Sequence, residues 1–266
     1  LYTSILEYYE GNFADEKKKL KKDDIKLLEE IVRDYRRMGF DLPSPKQKEL
    51  KKLLKLTAKL SNEFRTAIDE YHDFILCDEK ELEGMSPRFV ATLPKDSKTG
   101  KYMVTLQYPH LYPYLAEAKN REKRKELSLK SLQKGGKKNL KVIEDLVKLR
   151  KRISDILGYK HHADFRTENR MAKTGKLAED FQNSLLKMLA PLAKKDMAEL
   201  QAHAKTLGIK KLEHYDINYV ATNLKKKLYD LDPETVKEFF PLEHVRTELF
   251  TLCETLFGIV IAEYAV

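Results

Sequence analysis

The chain has 266 residues, 42% of them aliphatic, aromatic or cysteine and 35% charged, with 51 Lys and Arg against 42 Asp and Glu. That mix excludes an intrinsically disordered chain, and no apolar run nears the roughly 20 residues that a membrane-spanning helix requires. A net charge of +9 passes the usual screen for nucleic-acid binding, so the placement of the lysines matters more than their number.

The opening Leu1-Tyr2-Thr3-Ser4-Ile5-Leu6 has no basic leader region or cleavage site and no initiating Met, so the chain reads as part of a longer polypeptide. The densest basic run, Lys17-Lys18-Lys19-Leu20-Lys21-Lys22, is bracketed by Asp15-Glu16 and Asp23-Asp24. Asp23 and Asp24 can cap a helix whose apolar stripe is Leu27, Leu28, Ile31, Val32, Tyr35 and Met38, with Gly39 as its stop. Ser44-Pro45 supplies an N-cap followed by Pro at the first helical position. From there Leu50, Leu53, Leu56, Leu60, Phe64, Ala67 and Tyr71 recur every three or four residues, which predicts a long amphipathic helix pairing with the one before it.

The period changes over residues 86 to 107. Phe89–Leu93 and Tyr102–Leu106 flank a polar connection with Pro94 and Gly100, which predicts a small β-hairpin over about 89–107; the first arm could equally be a helical turn after Ser86-Pro87. Helical patterns resume over about 120–134 and 138–157, separated by Gly135-Gly136, and Gly158 ends the second. A long pattern from about 175 to 206 contains Pro191, expected to kink or split it, and Gly208 stops it. Helices over about 216–229 and 242–257, the latter closed by Gly258, complete an all-α fold with one minor hairpin. Residues 1–266 read as one helical unit, with a soft division near Gly158 into 1–158 and 159–266.

Cys77 and Cys253 are too few for a disulfide framework or a thiolate zinc site and fit a cytosol-like, cytoplasmic compartment. The lysine clusters at Lys46–Lys59, Arg121–Lys125 and Lys225–Lys227 are interleaved with acids or sit on amphipathic helices. Solvated helix faces account for them, and nucleic acid is not an expected partner.

Catalytic signatures are missing. His-Glu-x-x-His on a helix puts two imidazoles on one face to hold Zn²⁺ beside a general base, yet no His-Glu dipeptide occurs and no histidine has a second His four residues on. Adjacent side chains of a helix diverge by about 100°, so His161-His162 cannot chelate one ion there, and His162 is expected to be a hydrogen-bonding residue near a helix start. His244 and Glu248 share a helix face but lack a third ligand. Lys134-Gly135-Gly136-Lys137 lacks the context of a phosphate loop, and no Gly-x-Ser-x-Gly elbow is present. The most concentrated aromatic stretch, Tyr108-Pro109-His110-Leu111-Tyr112-Pro113-Tyr114, is either a rigid connector or a wall that binds peptide through Tyr108, His110, Tyr112 and Tyr114.

Several segments, read in order, resemble the thimet oligopeptidase, neurolysin, saccharolysin and oligopeptidase A family of zinc metallopeptidases. They run from Gly39-Phe40-Asp41-Leu42-Pro43 and Leu56–Phe64 through Tyr108-Pro109-His110, Leu157-Gly158-Tyr159 and His162-Ala163-Asp164-Phe165. Met171-Ala172-Lys173, Tyr215-Asp216 with Tyr219, Phe239-Phe240-Pro241-Leu242 and Leu256-Phe257-Gly258-Ile259 complete the series. Tyr215 stands where the family usually has Trp, Val220 where it often has a second Tyr, and Ala262-Glu263-Tyr264-Ala265-Val266 does not continue its pattern.

The resemblance implies an elongated helical enzyme whose two lobes flank a deep channel with zinc at its floor, into which short peptides pass. It implies catalysis by a zinc-bound water, a Glu general base and oxyanion donors, all from sequence C-terminal to this chain. No catalytic or metal residue therefore maps onto it. The chain is expected to be an amino-terminal, channel-wall portion that holds no zinc and is inactive alone, with short peptides and the C-terminal catalytic portion as partners. A non-catalytic helical module that binds peptides or a protein is the alternative.

Overall fold

The structure, a computed structural model, describes residues 2–230 and 233–262; of the expected departure at 262–266, positions 263–266 lie outside the described residues. In chain order the elements are α1 (Tyr2–Glu10), α2 (Phe13–Glu16), α3 (Lys22–Arg37), α4 (Ser44–Asp69), β1 (Phe74–Cys77), α5 (Pro87–Thr92), β2 (Tyr102–Thr105), α6 (Tyr108–Glu117) and α7 (Arg121–Leu132). Then follow α8 (Gly136–Ile156), α9 (His162–Thr167), α10 (Gly175–Thr206), α11 (His214–Tyr229), α12 (Pro233–Glu238) and α13 (Leu242–Phe257). The fold is all-α with one small antiparallel sheet, as the helical periodicity predicts. None of the described helices is long and apolar enough to cross a membrane.

The chain forms two compact units, each built from two separate stretches: 1–72 with 133–192, and 73–132 with 193–266. In the first, α4 packs chiefly on α8, where Leu50 and Leu53 meet Leu149 and Ile153, with Leu42, Leu60 and Leu157 around them. This corrects the expected pairing of α4 with the preceding helix: α3 packs on α1 instead, and the deepest apolar positions of α4 face α8. Asp23 and Asp24 lie in the first turn of α3 rather than at its cap, where the free N–H groups and the helix dipole still favour carboxylates. Gly39, at φ +85°, takes the left-handed turn that ends this helix.

In the second unit the sheet corrects the expected hairpin arms. β2 pairs not with Phe89–Leu93 but with β1, in the register Phe74↔Thr105 to Cys77↔Tyr102. Phe89-Val90 is helical because the Ser86 hydroxyl accepts the Phe89 N–H at 3.2 Å, with Pro87 at the first helical position. Local capping outweighs the β propensity of the run, and Lys95↔Tyr102 remains as an isolated bridge. A second core gathers Ala204, Ile209 and Val220 under Leu200, Leu212 and Tyr219. Pro191 does not split its element; α10 runs from Gly175 to Thr206.

Candidate functional site

Tyr108–Tyr114 forms most of helix α6. Pro109 occupies the first turn of α6, where a backbone N–H would have no acceptor within the helix, so only Pro113 removes an internal hydrogen bond. Helical spacing then divides the aromatic stretch. Leu111, Tyr114 and Leu115 face inward and are buried, while Tyr108 and Tyr112, 68% and 52% exposed, face outward with ring centroids 5.2 Å apart.

Tyr114 has no exposed surface; its hydroxyl donates to the Glu81 carbonyl at 2.8 Å and lies 3.5 Å from Cys77 Sγ. Burial, reinforced by Cys77, pushes its pKa far above the usual tyrosine range, so it remains a neutral structural donor. Burial likewise raises the Cys77 thiol. His110 is half-buried, with Nδ1 2.8 Å from Thr105 Oγ1 and its ring edge-on to Phe89 at 6.0 Å. Burial lowers its pKa, which favours the neutral imidazole.

The outward face of α6 borders an open groove of about 500 Å³. Phe89 and Thr92 of α5, Pro109, His110 and Tyr112 of α6, and Thr222 of α11 line it. The structure therefore brings His110 and Tyr112 to one groove and places Tyr114 inside the fold. Arg88 and Lys237 stand at the lining beside Glu117, so apolar rings are flanked by both signs of charge. Such a surface can hold an extended chain by ring packing and hydrogen bonds. Sequence reasoning leaves Phe89 open between a strand and a helical turn after Ser86-Pro87 and does not single out Arg88; the turn is the alternative that forms, and it brings Phe89 toward His110.

A buried ionic lock fixes α11 against the elements that carry this groove. Asp216, with no exposed surface, accepts from Arg121 Nη2 at 2.8 Å and Nε at 3.0 Å, and from Arg124 Nη2 at 3.1 Å. It also accepts the Glu213 N–H at 3.1 Å, closing a capping box at the start of α11. Arg124, 1% exposed, donates from Nη1 to the carbonyls of Ala118 at 2.7 Å and Lys119 at 3.1 Å, just beyond α6. Its guanidinium lies 4.0 Å from the centre of the Tyr219 ring, while Arg121 stands 5.2 Å over Tyr215. Burial alone would raise the Asp216 pKa, but Arg121, the Glu213 N–H and Arg124 together hold it below the usual carboxylate range. The Tyr215-Asp216 and Tyr219 positions thus serve to join helices.

Zinc, which the resemblance implies, does not fit the residues present. Among the described residues no three His, Cys, Asp or Glu side chains gather where one ion could hold them, and a zinc site takes at least three protein ligands. His162 opens α9 with Nδ1 3.4 Å from Ser154 Oγ, the hydrogen-bonding role expected of it.

Together these features describe a helical scaffold that presents an aromatic groove. The chain belongs to peptidase family M3, which it matches over residues 114–265. It is similar to a probable cytosolic oligopeptidase A of Arabidopsis thaliana, 28% identical over 88% of this chain and 36% of that protein. Saccharolysin of Saccharomyces cerevisiae is 27% identical over 90% of this chain and 35% of that protein. Oligopeptidase A of Escherichia coli is 27% identical over 90% of this chain and 37% of that protein. The chain thus spans little more than a third of the length of these relatives.

Proposed function

We propose that this chain supplies a helical, peptide-holding wall to a zinc-dependent oligopeptidase and does not hydrolyse peptides by itself. The similarity to oligopeptidases across about 90% of the chain carries this reading. The groove beside Phe89, His110 and Tyr112 supports it, because flat rings and proline side chains suit an extended peptide backbone. Tyr108 lies one turn from Tyr112 and would extend the same wall, and Tyr114 would hold α6 in place from behind. Zinc, the attacking water and the general base would belong to residues beyond this chain. The two free cysteines fit a cytoplasmic setting.

A short fluorescent peptide titrated into the purified chain should bind, more weakly to Tyr112→Ala and Phe89→Ala, and should emerge uncleaved by mass spectrometry. Cleavage by the chain alone that a chelator abolishes would refute the non-catalytic assignment. Binding indifferent to both substitutions would refute the groove.

The second reading is a non-catalytic module for peptides or a protein, a truncated or degenerate family member with the same fold. The coding sequence following Val266 separates the two. A His-Glu-x-x-His there selects the enzyme, and a stop codon selects the module.

A further inference from the structure

A second groove, in the other compact unit, has a composition that the oligopeptidase reading does not use. It lies between the end of α3 and the outer side of α4 and encloses about 590 Å³. Leu50, 2% exposed, forms its floor, while Met38, Phe40 and Leu54 remain 58%, 45% and 46% exposed along its open side. Lys48, Lys51 and Lys55 line it at positions i, i+3 and i+7 of α4, and no acidic residue does. Lys52 and Lys59 fall on the same side of the helix, so the basic stripe runs for about 16 Å at 1.5 Å per residue.

These lysines are not neutralised from within. Lys48, Lys51, Lys52 and Lys55 take part in none of the ion pairs among the described residues, and Lys59 reaches only Glu63, at 3.8 Å. Glu49, the acid closest in sequence, is held by Arg152 at 2.6 Å, and Asp41 is held by Arg36 at 3.0 Å. The groove is also preformed. Gln47 Nε2 donates to the carbonyls of Phe40 and Leu42, both at 2.8 Å, which pins the turn after Gly39. Tyr35 and Tyr2 hold the Phe40 ring from behind, at 5.0 and 5.2 Å.

We infer that this groove docks an acidic, amphipathic peptide segment of a partner protein. Its apolar side chains would cover Met38, Phe40 and Leu54 while its carboxylates meet the lysine row. A solvated helix face explains the lysines but not the exposed apolar side chains fixed beside them. Nucleic acid would neutralise the lysines and leave those side chains uncovered, and no row of aromatic rings is present for base stacking. A bilayer surface suits a convex apolar face, and this one is concave. Carboxylates three or four residues apart on a helix repeat at the spacing of the lysines, so an amphipathic helix satisfies both halves of the surface.

The test is fluorescence anisotropy with a labelled helical peptide of Leu and Glu, compared with the same peptide carrying Lys for Glu, an oligouridylate and phosphatidylserine vesicles. The acidic peptide should bind best, with affinity falling as salt rises. Lys48→Glu/Lys51→Glu/Lys55→Glu should weaken it about tenfold or more and flatten its salt dependence, since like charges then face each other. Leu54→Asp should weaken binding through the apolar side and provides a second reading should the triple variant fold poorly by circular dichroism. Unchanged acidic-peptide binding in these variants would overturn the inference. So would tighter, lysine-dependent binding of the oligouridylate or the vesicles.

Discussion

Asp216→Ala tests the lock that joins α11 to the end of α6. The substitution removes the carboxylate shared by Arg121 and Arg124 and leaves the Arg124 guanidinium, 1% exposed, as an uncompensated buried charge. Breaking a buried pair in this way costs about 3–5 kcal/mol. The side chain of Arg121 is 37% exposed and can rehydrate, so the lower end, about 3 kcal/mol, is expected. For a protein of this size that corresponds to a fall of about 6–12 °C in melting midpoint. Asp216→Asn keeps the shape and a cap acceptor but not the charge, and should lose most of the same stability. The sign with pH follows from the depressed Asp216 pKa. Its contribution is fully present above the unfolded carboxylate value near pH 4 and disappears as pH falls through the lower folded value. Urea unfolding followed by circular dichroism, repeated from neutral pH down into the acid range, reads both effects. Variants within about 0.5 kcal/mol of the parent, or sharing its acid limb, would refute this account. Replacing all three groups by Met, Met and Leu should recover part of the loss, because no charge is then stranded.

Other expectations concern single positions. Gly39→Ala places a Cβ against the Leu50 side chain at a φ of +85° and should cost more than about 1 kcal/mol in thermal unfolding. Tyr114→Phe removes the donor to the Glu81 carbonyl and should cost about 0.5–1.5 kcal/mol in urea titration, with Cys77 labelling by a thiol reagent becoming faster. The outer faces of α10 and α13 expose Leu177, Phe181, Leu186, Leu249, Leu252 and Phe257, so sedimentation velocity of the isolated chain should show self-association that grows with concentration. A compact monomer at every concentration would contradict that.

Local signals are legible in the sequence because helices are local structures. Gly39, Gly158, Gly208 and Gly258 all adopt the left-handed conformation at or just beyond helix ends, where punctuation by glycine predicts them. The errors lie where partners distant in sequence decide. Nothing in the Leu50 and Leu53 spacing says that Leu149 and Ile153, rather than the preceding helix, will cover them. The four-residue apolar run Phe74–Cys77 is too short to announce a strand, and it becomes one because Tyr102–Thr105 supplies its hydrogen-bonding edge. Similarly, Tyr215-Asp216 gave a family signal without its physical reason, which needs Arg121 and Arg124 from about 90 residues earlier in the sequence.

The aromatic stretch shows why clustering in sequence is a poor guide to a site. Seven consecutive residues supplied four candidates, but a helix turns each successive side chain by about 100°. Tyr108 and Tyr112 therefore share one side, whereas Tyr114 points into the fold with Leu111 and Leu115. Any ligand that packs on the Tyr108–Tyr112 pair cannot also meet the Tyr114 hydroxyl, which Glu81 already occupies. The same turn that buries Tyr114 moves the adjoining wall to Phe89, a residue nineteen or more positions away from the pair. The groove is thus assembled across helices, and its chemistry is set by which faces those helices have left over after packing.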